Sequence, residues 1–413
     1  GLETIRVETA LEMEAAVQAS LPADAAICAA AVALGTTATN ADFIDDSQVQ
    51  LKFRNFYLDR QYETVPQNNW GSWSQGITLD AKSGYTQIGA LQVGADILAQ
   101  HAFRLNGRDK NADWVLPHNG QEQASNFGKV GATVKAKVSQ TELKVGELLP
   151  VSPVLVFDPS RQLLTTYSGA WLESKELKDT KLSLAYIDGI NARYDNQFQD
   201  LSLFPNNNPN TAKAADEMYI AGIDHQFNPE LGASYWYADV KDIYQQHYAG
   251  INYSAALGTK TKLTSHVRYF DNSASSDKLY GEIDNQALSM GAKFSHGEHS
   301  VGLGYQQMFG ENNFPTLAGW VPQPYLVNWS VATFTNAKEK SWNISYGYDF
   351  AGLGLKGLNA NAIYFSGFDA KAGGKTDQEE QELNLIVNYS VPEGKFKGLG
   401  VQAMYIDTDY DWK

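Results

Sequence analysis

The side chains of this chain best placed to do chemistry are basic residues set at every second position. In the run Lys129-Val-Gly-Ala-Thr-Val-Lys-Ala-Lys-Val-Ser139, Lys129, Lys135 and Lys137 share one parity with Thr133 and Ser139, while Val130, Ala132, Val134, Ala136 and Val138 share the other. The same test picks out Lys52 and Arg54 opposite Val49, Leu51 and Phe53, and Arg104 in a set with Gln92, Asp96 and Gln100. It also picks out Arg268, which alternates with Leu263, Val267 and Tyr269. A row of cations on one wall of a narrow, weakly polar passage offers an anion successive weak sites and no single tight one. The plainer reading is that Lys52, Arg54, Arg104, Lys135, Lys137 and Arg268 are solvated cations that neutralise neighbouring acids. Two further charged candidates, Asp158 and Arg161, sit with Tyr167 in or just after a segment carrying Pro150, Pro153 and Pro159.

Catalytic and metal chemistry find less support. His296-Gly-Glu-His299 has metal-binding residue types, but it straddles a tight turn, where positions i and i+3 are not expected to converge as they do on a helix. No Gly-x-Ser-x-Gly elbow accompanies the seven histidines, so no catalytic residue is assigned. The single cysteine, Cys28, excludes an internal disulfide and a thiolate cluster, and no cofactor or metal is expected. A net charge of −15 argues against nucleic acid as a partner.

These residues must be held by strands. Alternation of β-branched and polar residues is the pattern of a strand with one greasy and one wet face. From Asp42 onward it recurs near 48–59, 74–83, 87–104, 128–139, 141–148, 166–176, 180–188, 216–226, 230–241, 243–255, 260–271, 285–297, 299–309, 340–350, 356–367, 379–391 and 397–408. Connections after even-numbered strands are short, such as Ser83-Gly84, Ser139-Gln140 and Gly297-Glu298. Those after odd-numbered strands are mostly long (60–73, 105–127, 149–165, 189–215, 310–339), with the link at Lys241-Asp242 as the exception. Short turns at one end and long loops at the other are the mark of a transmembrane antiparallel β-barrel. The mean hydropathy of −0.36 and the lack of any run of 18 apolar residues exclude a membrane-spanning helix and agree with barrel strands, which hide half their residues from lipid.

Seventeen strands are visible, and an even count is expected, so a closing strand is missing; truncation after Tyr410-Asp-Trp-Lys413 is the favoured reason. Residues 1–41 are read as a leader or fused segment outside the barrel, which occupies 42–413. Thr9 to Ala19 favours helix, Ala25 to Gly35 has the length of a signal-peptide core, and Thr39-Asn40-Ala41 is a loose cleavage site. Ile5-Arg-Val-Glu-Thr-Ala, Leu21-Pro-Ala-Asp-Ala-Ala and Ala29-Ala-Ala-Val resemble part of the phosphopantothenoylcysteine synthetase family, over about thirty residues and without a catalytic motif.

A far longer resemblance is carried by an ordered set of stretches. Among them are Asp46-Ser-Gln-Val-Gln-Leu-Lys-Phe-Arg-Asn-Phe-Tyr-Leu-Asp-Arg60, Trp73-Ser-Gln-Gly76, Ser83-Gly-Tyr-Thr-Gln87, Val93-Gly-Ala-Asp96 and Leu143-Lys-Val-Gly-Glu147. Asp242-Ile-Tyr-Gln-Gln-His-Tyr248, Gly304-Tyr-Gln-Gln307, Glu339-Lys-Ser-Trp342 and Gly357-Leu358 continue it. The set resembles the OprD family of outer-membrane substrate-specific porins over about 42–408. The resemblance implies an 18-stranded barrel, passive uptake of small carboxylate-bearing solutes along a basic ladder, and a constriction by an inward-folded loop, here 149–165. Late strands of that family add arginines; Leu358–Phe365 and Val401–Ile406 add none here, which puts anion preference in question. The expectation is therefore an integral protein of the bacterial outer membrane, monomeric or trimeric, in contact with outer-membrane lipid and passing small anionic or zwitterionic solutes. The excess acid is expected on external loops, at Asp277, Glu282, Asp284 and the run from Asp377 to Glu382. The competing expectations are a barrel enzyme, protease or lipase, and a soluble all-β binding module.

Overall fold

The computed structural model describes residues 3–17, 43–44, 46–63, 65–107, 110–204, 213–319 and 321–412, the first of these as backbone only. The strands are β1 Glu3–Val17, β2 Gln48–Tyr62, β3 Trp70–Lys82, β4 Thr86–Ile88, β5 Leu91–Gly107, β6 Asn126–Val138, β7 Thr141–Leu148, β8 Val151–Ser152, β9 Leu155–Val156, β10 Thr166–Ser174 and β11 Thr180–Asn191. They continue as β12 Met218–Gln226, β13 Leu231–Val240, β14 Tyr244–Ala256, β15 Thr261–Ala274, β16 Asp284–His296, β17 His299–Gly310, β18 Lys340–Asp349, β19 Leu358–Ala372, β20 Lys375–Ser390 and β21 Leu399–Tyr410. All seventeen strands expected from the alternation are present. Each long strand pairs antiparallel with its neighbours in sequence, from β2–β3 through β20–β21, in one sheet.

The ring of pairings is closed by β1, which pairs antiparallel with both β2 and β21. Glu3–Val17 is thus a strand in the ring, where helix was expected from Thr9 to Ala19 and the barrel was expected to begin at residue 42. The physical reason is that seventeen strands leave two open sheet edges, and unpaired N–H and C=O groups are not tolerated in hydrocarbon. With β1, the long strands number eighteen. Residues 18–42, where the apolar run, the cleavage site and most of the synthetase-like stretch fall, lie outside the described residues.

The face assignment follows lipid and water. Val130 is 74% exposed and Val134 50%, whereas Lys129 on the opposite parity is 5% exposed. A barrel with its valines outward and lysines inward is arranged for lipid on the outside. Exposed aromatics ring both rims: Tyr57, Trp73 and Phe103 at the long-loop end, Phe227, Tyr346 and Tyr389 at the short-turn end. Such girdles mark the two lipid–water boundaries. The short connection at Lys241-Asp242 holds, with Asp242 at φ 65°. A second tight turn at the long-loop end, Gly373-Gly374 with φ of 57° and 77°, joins β19 to β20 and lets both run further than the alternation suggested. Positive φ at two successive positions is a backbone requirement that glycine meets without steric cost.

Candidate functional site

The interior is organised by one loop. Residues 149–165, between β7 and β10, close on themselves through the β8–β9 hairpin, in which Ser152 Oγ accepts from Leu155 N and donates to Leu155 O, each at 3.0 Å. Tyr167, fully buried at the start of β10, donates its hydroxyl to Val156 O at 2.9 Å. The loop then runs along the inner faces of three consecutive wall strands. Arg54 of β2 donates through Nη1 to Pro159 O at 2.8 Å and also to Arg161 O. Gln162 Nε2 donates to Arg54 O at 3.1 Å and to Ser74 Oγ of β3 at 3.0 Å. Leu164 N donates to Gln100 Oε1 of β5 at 2.8 Å. Leu163 is buried among Phe56, Leu58, Trp70, Ala102, Val115, Leu116 and Phe127. Gly76 makes this approach feasible, because a Cβ there would lie 2.6 Å from Gln162 Oε1.

Other loops are tied to this one. Arg193, following β11, pairs with Asp158 Oδ2 at 2.6 Å and donates to Ser160 Oγ at 2.8 Å; the side chains of the ion pair are 5% and 1% exposed. Lys129 of β6 donates to Asn191 O and Oδ1 at 3.2 Å each and to Ala192 O at 3.0 Å. Gln323, in the 311–339 connection, donates to Pro153 O at 2.9 Å. Arg268 of β15 donates to Tyr325 O at 3.1 Å and lies over the Tyr325 ring at 5.1 Å.

The six basic residues named from sequence as a ladder, Lys52, Arg54, Arg104, Lys135, Lys137 and Arg268, thus divide. Arg54 and Arg268 grip loop carbonyls. Lys135 bonds to Asp96 at 2.7 Å and to Ser83 O at 2.7 Å, so its charge is locally balanced. Lys52 and Lys137 are half-buried and make no hydrogen bond or ion pair to a side chain among the described residues. Arg104 is half-buried on the inner face of β5. Of the three loop residues named from sequence, Asp158 and Tyr167 are buried and structural, while Arg161 is half-buried, its Nη1 on Ser160 O at 2.9 Å.

The late wall is acidic where a cationic one was in question. Glu382 accepts from Ala332 N at 2.6 Å, Glu380 from Phe334 N at 3.1 Å, and Glu339 from Asn336 N at 3.0 Å. Glu339 also shares a hydrogen bond with Glu380, and burial holds its carboxyl above the ordinary range. The expectation of acid on external loops is met by exposed Asp277 and Glu282, but Glu380 and Glu382 are 2% and 1% exposed within β20, a correction to that expectation. The reason is that they supply acceptors for the buried N–H groups of the 311–339 connection, which would otherwise be orphaned. Arg193, Gln162, Gln323, Glu339, Glu380 and Glu382 were not singled out as site residues from sequence. The Pro-bracketed loop itself was the only signal that partners for its backbone must exist.

Comparison with known proteins agrees with this geometry. Residues 41–411 match the family described as outer membrane porin, OprD family. The chain is 32% identical over 390 residues to the porin-like protein GalP of Pseudomonas putida, covering 93% of this chain and 92% of that one. Among solved structures it is similar to Pseudomonas aeruginosa OccK9 (OpdG), with a TM-score of 0.83 and 32% identity over 89% of this chain and 98% of that one. It is also similar to Pseudomonas aeruginosa OpdK with vanillate, with a TM-score of 0.80 and 28% identity over 89% and 99% of the two chains. These relatives are channels and not enzymes, and they are integral to the bacterial outer membrane. With the family match over residues 41–411 and a shared fold, the chain belongs to the OprD family of outer-membrane porins.

Proposed function

We propose that this porin selects small carboxylate-bearing solutes, and that the selection is made where loop 149–165 narrows the lumen beside a basic wall. The observation that carries this reading is the position of the loop. It is pinned to Arg54, Ser74 and Gln100 on successive strands, which supports a narrowing of the lumen beside Arg161 and the cations of β2. Lys52 shares a face with Arg54 two residues on, and Lys137 shares one with Lys135 on β6. A unit charge at about 4 Å is worth roughly 1 kcal/mol in water and about 4 kcal/mol at an effective dielectric of 20. Two unengaged lysines therefore raise anion occupancy several-fold without trapping the solute. The similar OpdK structure with vanillate, a carboxylate, supports the same solute class.

The test is planar-bilayer recording with reversal potentials in asymmetric salt. Lys52→Gln with Lys137→Gln moves the reversal potential toward cations, and uptake of carboxylates falls more than uptake of neutral solutes of equal size. Unchanged selectivity in a correctly folded double variant refutes the ladder and leaves only the porin.

A further inference from the structure

We infer that His296 and His299 form a two-histidine site for a divalent transition-metal ion on the outer rim of the periplasmic end. The tight turn separates these residues in sequence but sets them together in space. They are direct partners in the β16–β17 register, flanking Gly297-Glu298. Both lie on the outer face, because His296 follows exposed Phe294 by two residues and His299 precedes exposed Val301 by two. Directly opposed side chains on an antiparallel pair have Cβ atoms about 4.5–5.5 Å apart. Two imidazole nitrogens bound to one ion at roughly 2.0–2.1 Å stand no more than about 4 Å apart, which two histidine side chains reach from that spacing.

A second observation concerns the nitrogens that stay off the metal. His296 Nδ1 lies 2.8 Å from Thr261 Oγ1, and His299 Nδ1 lies 2.7 Å from Tyr346 Oη. When Nδ1 donates its N–H to that hydroxyl, the Nε2 lone pair is left for a metal. Metal-ligating histidines almost always donate their other N–H in this way. The ring of His299 also packs against Tyr348 at a centroid distance of 5.0 Å, which restricts its rotation. The intervening Glu298 reaches toward Gly352, where a Cβ would lie 2.8 Å from its Oε1, so water completes the coordination. Imidazole pairs with open positions suit Zn²⁺, Cu²⁺ or Ni²⁺ and not Mg²⁺ or Ca²⁺. The ion would staple the two strands at their turn.

His225 is the internal control. It makes the same contact, Nδ1 to Thr180 Oγ1 at 2.8 Å, but the residue across from it is that threonine and not a second histidine. The experiment titrates Zn²⁺ into the purified, detergent-folded barrel by calorimetry, with Cu²⁺ as an electron-paramagnetic-resonance probe of nitrogen coordination. One strong site with two equivalent imidazole nitrogens is expected, weakening at least tenfold in His296→Ala or His299→Ala and unchanged in His225→Ala. Tyr346→Phe keeps both ligands and weakens binding about tenfold through loss of the orienting hydroxyl. The inference is overturned if the His296→Ala, His299→Ala double variant, shown folded by its heat-modifiable migration, binds either ion as the parent does. It is overturned equally if His225→Ala weakens binding as much as His299→Ala.

Discussion

Removing the guanidinium of Arg193 should open the pore without unfolding the barrel. Arg193 and Asp158 form a buried ion pair at 2.6 Å with side chains 5% and 1% exposed, and Arg193 also holds Ser160 Oγ. Deleting one partner of such a pair strands the other charge, at a cost of roughly 3–5 kcal/mol. At about 1.4 kcal/mol per tenfold, this shifts the ratio of docked to released loop by roughly 10²–10⁴. The strands are untouched, so Arg193→Met should retain heat-modifiable migration while the loop 149–165 leaves the wall for part of the time. The assay is single-channel conductance, expected to rise and become noisier, together with protease cleavage between 158 and 165, expected to accelerate. Replacing the pair by apolar residues, Arg193→Met with Asp158→Leu, removes the stranded carboxylate and should restore much of the docking. If Arg193→Met matched the parent in conductance and protease resistance, the ion pair would not be what holds the loop.

Lys135→Gln should shift selectivity toward cations because it unmasks Asp96, whereas Lys135→Gln with Asp96→Asn should leave reversal potential unchanged, since the pair is already neutral. Gly76→Leu should displace Gln162, 2.6 Å from a Cβ at that position, and raise conductance as the loop is pushed from β3. Burial raises the Glu339 carboxyl, so its neutral form favours the packed 311–339 connection. Its stabilisation is full below the ordinary carboxylate pKa and is lost as pH rises through the raised value; hydrogen exchange at Ala332 to Asn336 should therefore slow on acidification, and Glu339→Gln should flatten that dependence. Val134→Arg, which puts a cation on a lipid-facing position, should lower the folded fraction at a cost of up to about 2–4 kcal/mol, read from gel migration of unheated samples.

The barrel was legible because lipid enforces parity. Val130 and Val134 outside, Lys129 and Lys135 inside, follow from a rule that each residue obeys separately. β1 was missed although Ile5, Val7, Leu11, Met13 and Val17 share one parity and Arg6, Glu8, Glu12 and Glu14 the other, because its glutamates and alanines also favour helix. The inward parity of the basic residues was legible, but their partners were not. Lys135 meets Asp96 only through the β5–β6 register, in which Gly94 faces Lys135. Arg193 meets Asp158 across two loops whose sequences carry no period. His296 and His299 were set aside on a helical criterion, and the hairpin brings them together by a different geometry.

The way the loops are held has an evolutionary corollary. Arg54, Lys129 and Arg268 grasp carbonyls at Pro159, Arg161, Ala192 and Tyr325, and Glu380 and Glu382 grasp amides at Phe334 and Ala332. In each case the wall contributes a side chain and the loop contributes main chain, which every residue type except proline at an amide can supply. A change at Arg161 or Tyr325 therefore alters what a passing solute meets while the clasp stays fastened. The same barrel can diverge toward new cargo by drift in its loops, whereas substitution at Arg54 or Glu382 would move a loop bodily and be removed by selection.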